Sequence, residues 1–338
     1  MPSLAFIWLQ FAVSLLLIGF AGTQLTRYGD AIADKTGIGA TWIGVVLLAS
    51  VTSLPELVTG LSSVTLAGVP EIAVGDVLGS CVFNLLILVL LDVIYRRETI
   101  YTHASQGHIL SAGFGIMLLG FVGFNLLLAS NGARWSVAHV GAYTPVLLLI
   151  YAVAMRTVFR YEQREVGRFT EEVADQYPHL TLAQVILRYA AAAAVVVAAG
   201  VWLPYIAESM AVQMDWHQTF VGTLMVALVT SVPEMVVTVA ALRLGALDMA
   251  IGNLLGSNLF NVMILAVDDI AYLDGPLLSA VSPIHAASAL SAMMMTGIAI
   301  VGLLYRPRTR VLRTVGWASI VLFAVYLLNS YVLYLYHG

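Results

Sequence analysis

The chain carries one five-residue pattern twice, as Thr52-Ser53-Leu54-Pro55-Glu56 and as Thr230-Ser231-Val232-Pro233-Glu234, each inside a strongly apolar stretch. A second pattern follows each copy, since Gly79-Ser80-Cys81-Val82-Phe83-Asn84 returns as Gly256-Ser257-Asn258-Leu259-Phe260-Asn261. The first pattern repeats after 178 residues (52 to 230) and the second after 177 (79 to 256), so one single-residue gap relates the copies. The chain is therefore predicted to be a duplication, with a carboxylate at the same place in each half.

The composition predicts that lipid surrounds the chain. Hydrophobic residues make up 60% of the 338 positions and charged residues only 10%, which is not the composition of a soluble domain. We therefore predict a polytopic membrane protein whose partner is the lipid bilayer. The net charge of -4 is too small to indicate a nucleic-acid partner, and the single cysteine, Cys81, allows no internal disulfide.

Apolar stretches long enough to cross about 30 Å of hydrocarbon predict an all-α fold of ten transmembrane helices. They begin near residues 4, 38, 71, 107, 137, 181, 216, 247, 279 and 311. No Lys or Arg precedes Arg27 and the first stretch is too long for a signal peptide, so we expect it to be retained.

Basic residues predict the orientation, because Lys and Arg collect in short cytoplasmic loops. With both termini outside, every one of the 15 Lys and Arg residues except Arg134 falls in a cytoplasmic turn. We expect a multi-pass protein of the cell membrane, which is the inner membrane in a Gram-negative bacterium.

Five helices per half is an odd number, so the second half enters the membrane from the opposite side and the repeat is inverted. We expect a first repeat at 1–157, with its motif at 38–95, and a second repeat at 181–338, with its motif at 216–270. Between them, 158–180 is hydrophilic and is predicted to be a solvated cytoplasmic linker.

The repeated prolines predict broken helices. Pro55 and Pro233 have no N–H, so each frees the carbonyl four residues earlier, at Val51 and Val229. A membrane helix tolerates such a break only where another group satisfies the freed backbone. Hard cations such as Na⁺ and Ca²⁺ take oxygen ligands, and each pattern offers a carboxylate, hydroxyls and a carbonyl.

Helical spacing brings these oxygens onto one face. Thr52 and Glu56 are four residues apart, as are Ser80 and Asn84, and residues at that spacing are neighbours on a helix. Gly75 precedes the second pattern, and with Gly79 it is expected to let another backbone approach closely. The second half repeats these positions as Thr230, Glu234, Ser257, Asn261, Gly252 and Gly256.

A charged side chain at the bilayer centre costs about 2.5–3.5 kcal/mol on insertion scales. This free-energy cost would apply to both Glu56 and Glu234, and no Lys or Arg lies near them in the same spans. The compensating charge must come from a bound cation or from a proton. A neutral, purely structural Glu is the weaker interpretation because the acid recurs at matched positions, yet protonation stays open.

These patterns resemble the cation/Ca²⁺ exchanger superfamily and, within it, the Na⁺/Ca²⁺ exchangers, whose two α-repeats carry Thr-Ser-x-Pro-Glu/Asp followed by Gly-Ser-x-x-x-Asn/Asp. The resemblance implies two inverted five-helix halves, with the second, third, seventh and eighth helices forming a four-helix core. It implies antiport by alternating access, with Na⁺ and Ca²⁺ as transported ions, no cofactor, and a monomer sufficient for transport.

Position by position, the resemblance implies that Glu56 and Glu234 are central Ca²⁺ ligands shared with Na⁺. Thr52 and Thr230 would add backbone carbonyl ligands beside them.

Two flanking Na⁺ sites are also implied. Ser80 with the carbonyl of Ala49 would form one of them, and Ser257 with the carbonyl of Ala227 the other. The remaining implied positions, in support of these sites and at their middle, are Ser53, Ser231, Asn84 and Asn261.

The sequence departs from the family at Val51 and Val229, where a glycine is usual, so the approach to each threonine is stiffer and ion selectivity stays open. The alternative function is exchange of H⁺ for Ca²⁺ or another divalent cation through the same two acids. Relatives of that type usually carry Gly-Asn-x-x-Glu patterns, which this chain lacks, so Na⁺ coupling is favoured.

Two other functional classes are disfavoured. A channel does not need an inverted repeat. An enzyme is not expected, because His-Glu-x-x-His is missing and the two glutamates have no partner that would separate their roles.

Further polar residues occur near predicted helix ends. Asp76 matches Asn253 in the second repeat, and its interpretation is open between attraction of entering cations and a hydrated helix start. Three other acids are predicted to be interfacial, namely Asp92, Asp268 and Asp269. His108 and His285 are predicted to be structural rather than pH-sensing.

Overall fold

The computed structural model describes residues 3–36, 51–95, 98–105, 107–132, 135–166, 179–307, 310–311 and 315–336. Helices of the first half are α1 (Leu4–Thr36), α2 (Leu54–Ala67), α3 (Pro70–Ile94), α4 (Ile100–His103), α5 (Gly107–Ser130) and α6 (Tyr143–Val166). Helices of the second half are α7 (Leu182–Met214), α8 (Gln218–Thr230), α9 (Val232–Arg243), α10 (Leu247–Ala271), α11 (His285–Tyr305) and α12 (Trp317–Leu335). An antiparallel hairpin, β1 (Ser136–Val137) with β2 (Val140–Gly141), precedes α6 and pairs Ser136 with Gly141.

The helical prediction is confirmed with one small exception, the hairpin. Eight described helices are long and apolar enough to cross a membrane, and nine if the bent pair α8 and α9 counts as one span. The span predicted to begin near residue 38 lies partly in 37–50, outside the described residues, and only α2 represents it. The count of ten helices therefore stays a prediction.

Some predicted helix starts were wrong by about six residues. The fifth stretch was expected near residue 137, but the hairpin occupies that position and α6 begins at Tyr143. The ninth was expected near 279, where a 3₁₀ turn at Leu277–Ser279 precedes α11, and the tenth near 311, where α12 begins only at Trp317. Apolar composition alone does not separate such turns from the helices that follow them.

The two helix breaks that the prolines predict are present. The chain turns at Ser53 with φ −87° and ψ 13°, and at Ser231 with φ −83° and ψ 2°, and a proline follows in the first turn of α2 and of α9. The axes of α8 and α9 differ by 44°. Both glutamates thus lie in the first turn of a new helix, at the same local geometry.

Glycines bring α3 and α8 together in the core, as the sequence predicted for Gly75 and Gly79. A Cβ added at Gly75 would lie 3.0 Å from the backbone nitrogen of Thr223, and one added at Gly79 would overlap the Thr223 carbonyl. On α8, a Cβ at Gly222 would lie 3.1 Å from Ile72. Small residues at such a crossing allow close backbone packing within a membrane.

The outer helices α1 and α7 pack on the broken helix of the opposite half. Gly22 of α1 faces the ring of Pro233 in α9, whereas Gly200 of α7 faces Val58 in α2, where an added Cβ would lie 2.9 Å from the side chain. Each half of the duplication therefore supports the other half.

Asp92 and Asp269 lie near the ends of α3 and α10, as the sequence predicted, and both are fully buried against protein; their position at the membrane interface stays a prediction. Asp92 accepts hydrogen bonds from the N–H groups of Ile100 (3.1 Å) and Gly316 (2.7 Å) and from the Ser319 hydroxyl (2.7 Å). A buried carboxylate needs such donors, and here they come from segments far away in the sequence.

Asp269 repeats this arrangement in the other half. It accepts from the N–H groups of Leu277 (2.7 Å) and Gly141 (2.8 Å) and from the hydroxyls of Tyr143 and Thr144, both at 2.5 Å. Each acid binds the amide eight residues further along the chain, so the duplication extends into the connecting segments.

Asp268 is also buried, and it likewise lies near the end of α10. Its carboxylate lies against Gly60 of α2, and neither of its oxygens has a hydrogen-bond partner among the described residues.

Both predicted structural histidines pair with an acid from the opposite half. His285 Nε2 lies 2.7 Å from Glu71 Oε2, and His108 Nε2 lies 2.9 Å from Asp248 Oδ1. The two pairs tie α11 to the start of α3 and α5 to the start of α10. His285 is fully buried, whereas the Asp248 side chain is 58% exposed.

Candidate cation site

Glu56 and Glu234 are the central residues of the candidate site. Both are fully buried in the first turn after a helix break. In each carboxylate Oε1 has a serine partner, whereas Oε2 has no hydrogen-bond partner among the described residues. A buried carboxylate in this state has unused capacity to bind a positively charged ligand.

At these acids, the serine of each half contacts the glutamate of the other half. Ser53 Oγ lies 3.1 Å from Glu234 Oε1, and Ser231 Oγ lies 3.4 Å from Glu56 Oε1. Each serine marks one helix break and faces the glutamate of the other break. The two breaks therefore meet, and neither half forms this arrangement alone.

The threonine and serine hydroxyls also pair across the halves. Thr52 Oγ1 lies 3.4 Å from Ser257 Oγ, and Thr230 Oγ1 lies 3.4 Å from Ser80 Oγ. The family resemblance also implied that Ser80 lies with the carbonyl of Ala49, and that pairing stays a prediction.

Ala49 lies outside the described residues, whereas Ala227 is buried next to Gly79, where an added Cβ would lie 2.8 Å from the Ala227 side chain. The described contacts thus place Ser80 with the helix of Ala227. Spacing along a helix did not indicate this exchange, because it concerns contacts between helices.

The two asparagines of the repeated pattern have different surroundings. Asn84 Nδ2 donates to Asn258 Oδ1 at 3.0 Å, and Asn258 Nδ2 donates to the Cys81 carbonyl at 3.2 Å. Asn261 is buried, and neither its Nδ2 nor its Oδ1 has a hydrogen-bond partner among the described residues. The sequence analysis did not select Asn258, because its counterpart is Cys81 and the candidates were the polar residues shared by both patterns.

Asp76 belongs to this cluster, so the interpretation as a hydrated acid at a helix start was wrong, and attraction of cations stays a prediction. Its side chain is fully buried, and the Thr230 hydroxyl donates to its Oδ1 at 2.8 Å. The close crossing of α3 and α8 at Gly75 and Gly79 removes this turn of α3 from solvent.

The donor set of the cluster consists of oxygens. Among the described residues, the hydrogen-bond partners of Glu56 and Glu234 are serine hydroxyls, and no Lys or Arg pairs with either acid. Carboxylate, hydroxyl and amide oxygens are the ligands that hard cations prefer. The arrangement is therefore chemically able to bind a dehydrated Na⁺ or Ca²⁺.

A family model described as sodium/calcium exchanger protein matches residues 6–159 and 185–332, which covers most of the chain. The chain belongs to the sodium/calcium exchanger family. The superfamily resemblance noted in the repeated patterns is thereby confirmed, and this exchanger is a multi-pass membrane protein. The family is one of transporters rather than of enzymes.

The individual relatives have low sequence identity to the chain. Inner membrane protein YrbG of Escherichia coli (strain K12) is 27% identical over 263 residues, which cover 75% of this chain and 76% of that protein. The structure of the sodium-calcium exchanger NCX_Mj matches at a TM-score of 0.60 and 19% identity, covering 96% of this chain and 98% of that one. The H⁺/Ca²⁺ exchanger CAX matches at a TM-score of 0.71 and 13% identity, covering 98% and 85%. At these identities the two structures share the fold.

Proposed function

We propose that this exchanger is a secondary active antiporter that exchanges Na⁺ for Ca²⁺ by alternating access. The observation that carries the proposal is the pair of buried glutamates, Glu56 and Glu234, each with one oxygen that has no partner among the described residues. Hydroxyls from both halves surround them, which is a donor set for hard cations.

The proposed ligand set extends from this pair to the oxygens of both repeats. It comprises Glu56, Glu234, Thr52, Thr230, Ser53, Ser231, Ser80, Ser257, Asn84, Asn261 and the carbonyls of Ala49 and Ala227. Glu56 and Glu234 would bind Ca²⁺ centrally, and the hydroxyl pairs Thr52 with Ser257 and Thr230 with Ser80 would contribute to Na⁺ binding on either side.

We also propose ten membrane spans with both termini outside, a cell-membrane location and transport by the monomer. The repeated helix break supports the count, since α2 corresponds to α9 and the segment before α2 would then correspond to α8. The basic residues of the cytoplasmic turns support the orientation.

Exchange of H⁺ for Ca²⁺ is the second candidate. Buried carboxylates without a basic partner are also able to carry protons, and CAX, which is an H⁺/Ca²⁺ exchanger, shares the fold. The absence of Gly-Asn-x-x-Glu patterns favours Na⁺.

Uptake of ⁴⁵Ca²⁺ into proteoliposomes tests the coupling ion. Vesicles loaded with Na⁺ should accumulate Ca²⁺ when diluted into Na⁺-free medium, and vesicles loaded with K⁺ or choline should not. The matched experiment imposes a pH gradient on the vesicles in the absence of Na⁺. Uptake that follows the pH gradient and ignores internal Na⁺ would replace the proposal with the second candidate.

A further inference from the structure

Asp76 is a carboxylate that the two-glutamate site does not require. It lies four residues before Ser80 and eight before Asn84 in α3, so the three side chains share one helix face. Asp76 is fully buried, and its Oδ2 has no hydrogen-bond partner among the described residues. This free oxygen lies in the same cluster as the free Oε2 of Glu56.

A chain of hydroxyls connects Asp76 with the break in the second half. Ser231 Oγ donates to Ser80 Oγ at 3.0 Å, Ser80 Oγ lies 3.4 Å from Thr230 Oγ1, and Thr230 donates to Asp76 Oδ1 at 2.8 Å. Each hydroxyl has one proton to donate. With all three protons directed along the chain toward Asp76, each hydroxyl keeps a lone pair for a cation.

This assignment of the hydroxyl protons leaves Glu56 with few hydrogen-bond donors. Ser231 either donates to Ser80 at 3.0 Å or to Glu56 at 3.4 Å, and the shorter contact is the stronger one. Asp76 therefore competes for the hydroxyl proton that otherwise satisfies Glu56, and a cation becomes the better partner for both acids.

The second half has no equivalent charge. Asn253 occupies the matching position in α10, and its Nδ2 donates to Thr238 at 3.2 Å rather than to the core hydroxyls. There Ser53 donates directly to Glu234 at 3.1 Å. The cluster is thus asymmetric, with one carboxyl group beside Thr230 and Ser80 that has no counterpart at Asn253.

We propose that Asp76 is a third cation-binding carboxylate of the transport site and that it determines Na⁺ affinity by holding one Na⁺ beside Thr230 and Ser80. The inference rests on the proposed Na⁺/Ca²⁺ exchange. Glu56 and Glu234 neutralise one Ca²⁺ or two Na⁺, and Asp76 supplies the charge that neutralises a third Na⁺. A buried cation without that charge is costly.

Displacement of ⁴⁵Ca²⁺ by Na⁺ from the purified full chain in detergent tests this role. The wild type should release Ca²⁺ cooperatively as NaCl replaces choline chloride. Asp76→Asn should raise the Na⁺ concentration for half-displacement about tenfold or more and lower the Hill coefficient, while Ca²⁺ affinity changes much less. Asp274→Asn, the same substitution at an exposed loop acid, is the matched control and should behave as the wild type.

Three outcomes would count against the inference. An unchanged Na⁺ midpoint in Asp76→Asn overturns it and leaves the exchange proposal intact. An equal loss of Ca²⁺ and Na⁺ binding in a folded variant also overturns it, since Asp76 would then serve both ions alike. Wild-type Ca²⁺ binding that ignores Na⁺ overturns both proposals.

Asp76→Glu is the second variant, which keeps the charge and moves it by one methylene. If Asp76→Asn does not fold, Asp76→Glu should still shift the Na⁺ midpoint more than the Ca²⁺ affinity. Equal shifts for the two ions would contradict the inference.

Discussion

The two halves of this exchanger share their supporting contacts and differ in the charge of their core. Asp92 and Asp269 each bind the amide eight residues further on, and His285 and His108 each bind an acid of the opposite half. In the core, by contrast, Asp76 of one half corresponds to Asn253 of the other. Supporting contacts must match because both halves build the same fold, whereas the proposed ligand positions are free to diverge and would then set the ion preference.

The largest expected effect concerns a position where the halves are alike. Glu56→Gln and Glu234→Gln should each reduce Na⁺-driven ⁴⁵Ca²⁺ uptake to background, because each removes half of the central charge while keeping the shape of the side chain. Thermal unfolding of the purified variants checks that both are folded. Transport that persists in one of them would break the equivalence of the halves at this site.

A smaller effect is expected where α3 crosses α8. Gly79→Ala should lower the unfolding free energy by about 3 kcal/mol, because the added methyl group overlaps the Thr223 carbonyl. The midpoint of thermal unfolding in detergent measures this loss. Gly113→Ala is the control in α5, since nothing lies within 4 Å of a Cβ there, and it should be neutral or slightly stabilising. Equal midpoints for the two variants would show that the crossing is looser than described.

The smallest effect is expected for Asp92 and Asp269, the two buried acids that bind the connecting segments, and it compares the two halves at this position. Asp269→Asn should cost about 2 kcal/mol of stability and Asp92→Asn less, because among the described residues Asp269 accepts from four donors and Asp92 from three. Both substitutions keep the shape of the side chain and leave its hydrogen-bond donors facing an amide instead of a carboxylate. The midpoints of thermal unfolding rank them, and a larger loss in Asp92→Asn would mean that the donor count does not decide their contribution.

Local chemistry made the core readable from the sequence. Pro55 and Pro233 predicted the breaks because proline removes a backbone donor wherever it occurs. Gly75 and Gly79 predicted a close crossing because a missing Cβ lets another backbone approach closely within a membrane. The family followed from the same repeated patterns.

Contacts between distant segments were not readable. The hydrogen bonds of Asp92 and Asp269 were not predicted, because their donors lie in connecting segments that helical spacing does not describe. Asp76 was placed at a helix end because hydropathy counts residues from the start of a stretch and does not show which helices cover it. The contacts of Ser53 with Glu234 and of Ser231 with Glu56 also join distant segments, and helical spacing does not predict them.

In the proposed antiport, the contacts of Ser53 with Glu234 and of Ser231 with Glu56 would restrict how ions leave the site. A rigid displacement of one repeat against the other would separate Ser53 from Glu234 and Ser231 from Glu56 in a single movement. The bound ion would then lose ligands from both repeats simultaneously instead of slipping past one of them. Such a joint release suppresses uncoupled leak, since no intermediate keeps half of the cage closed while the other half is open.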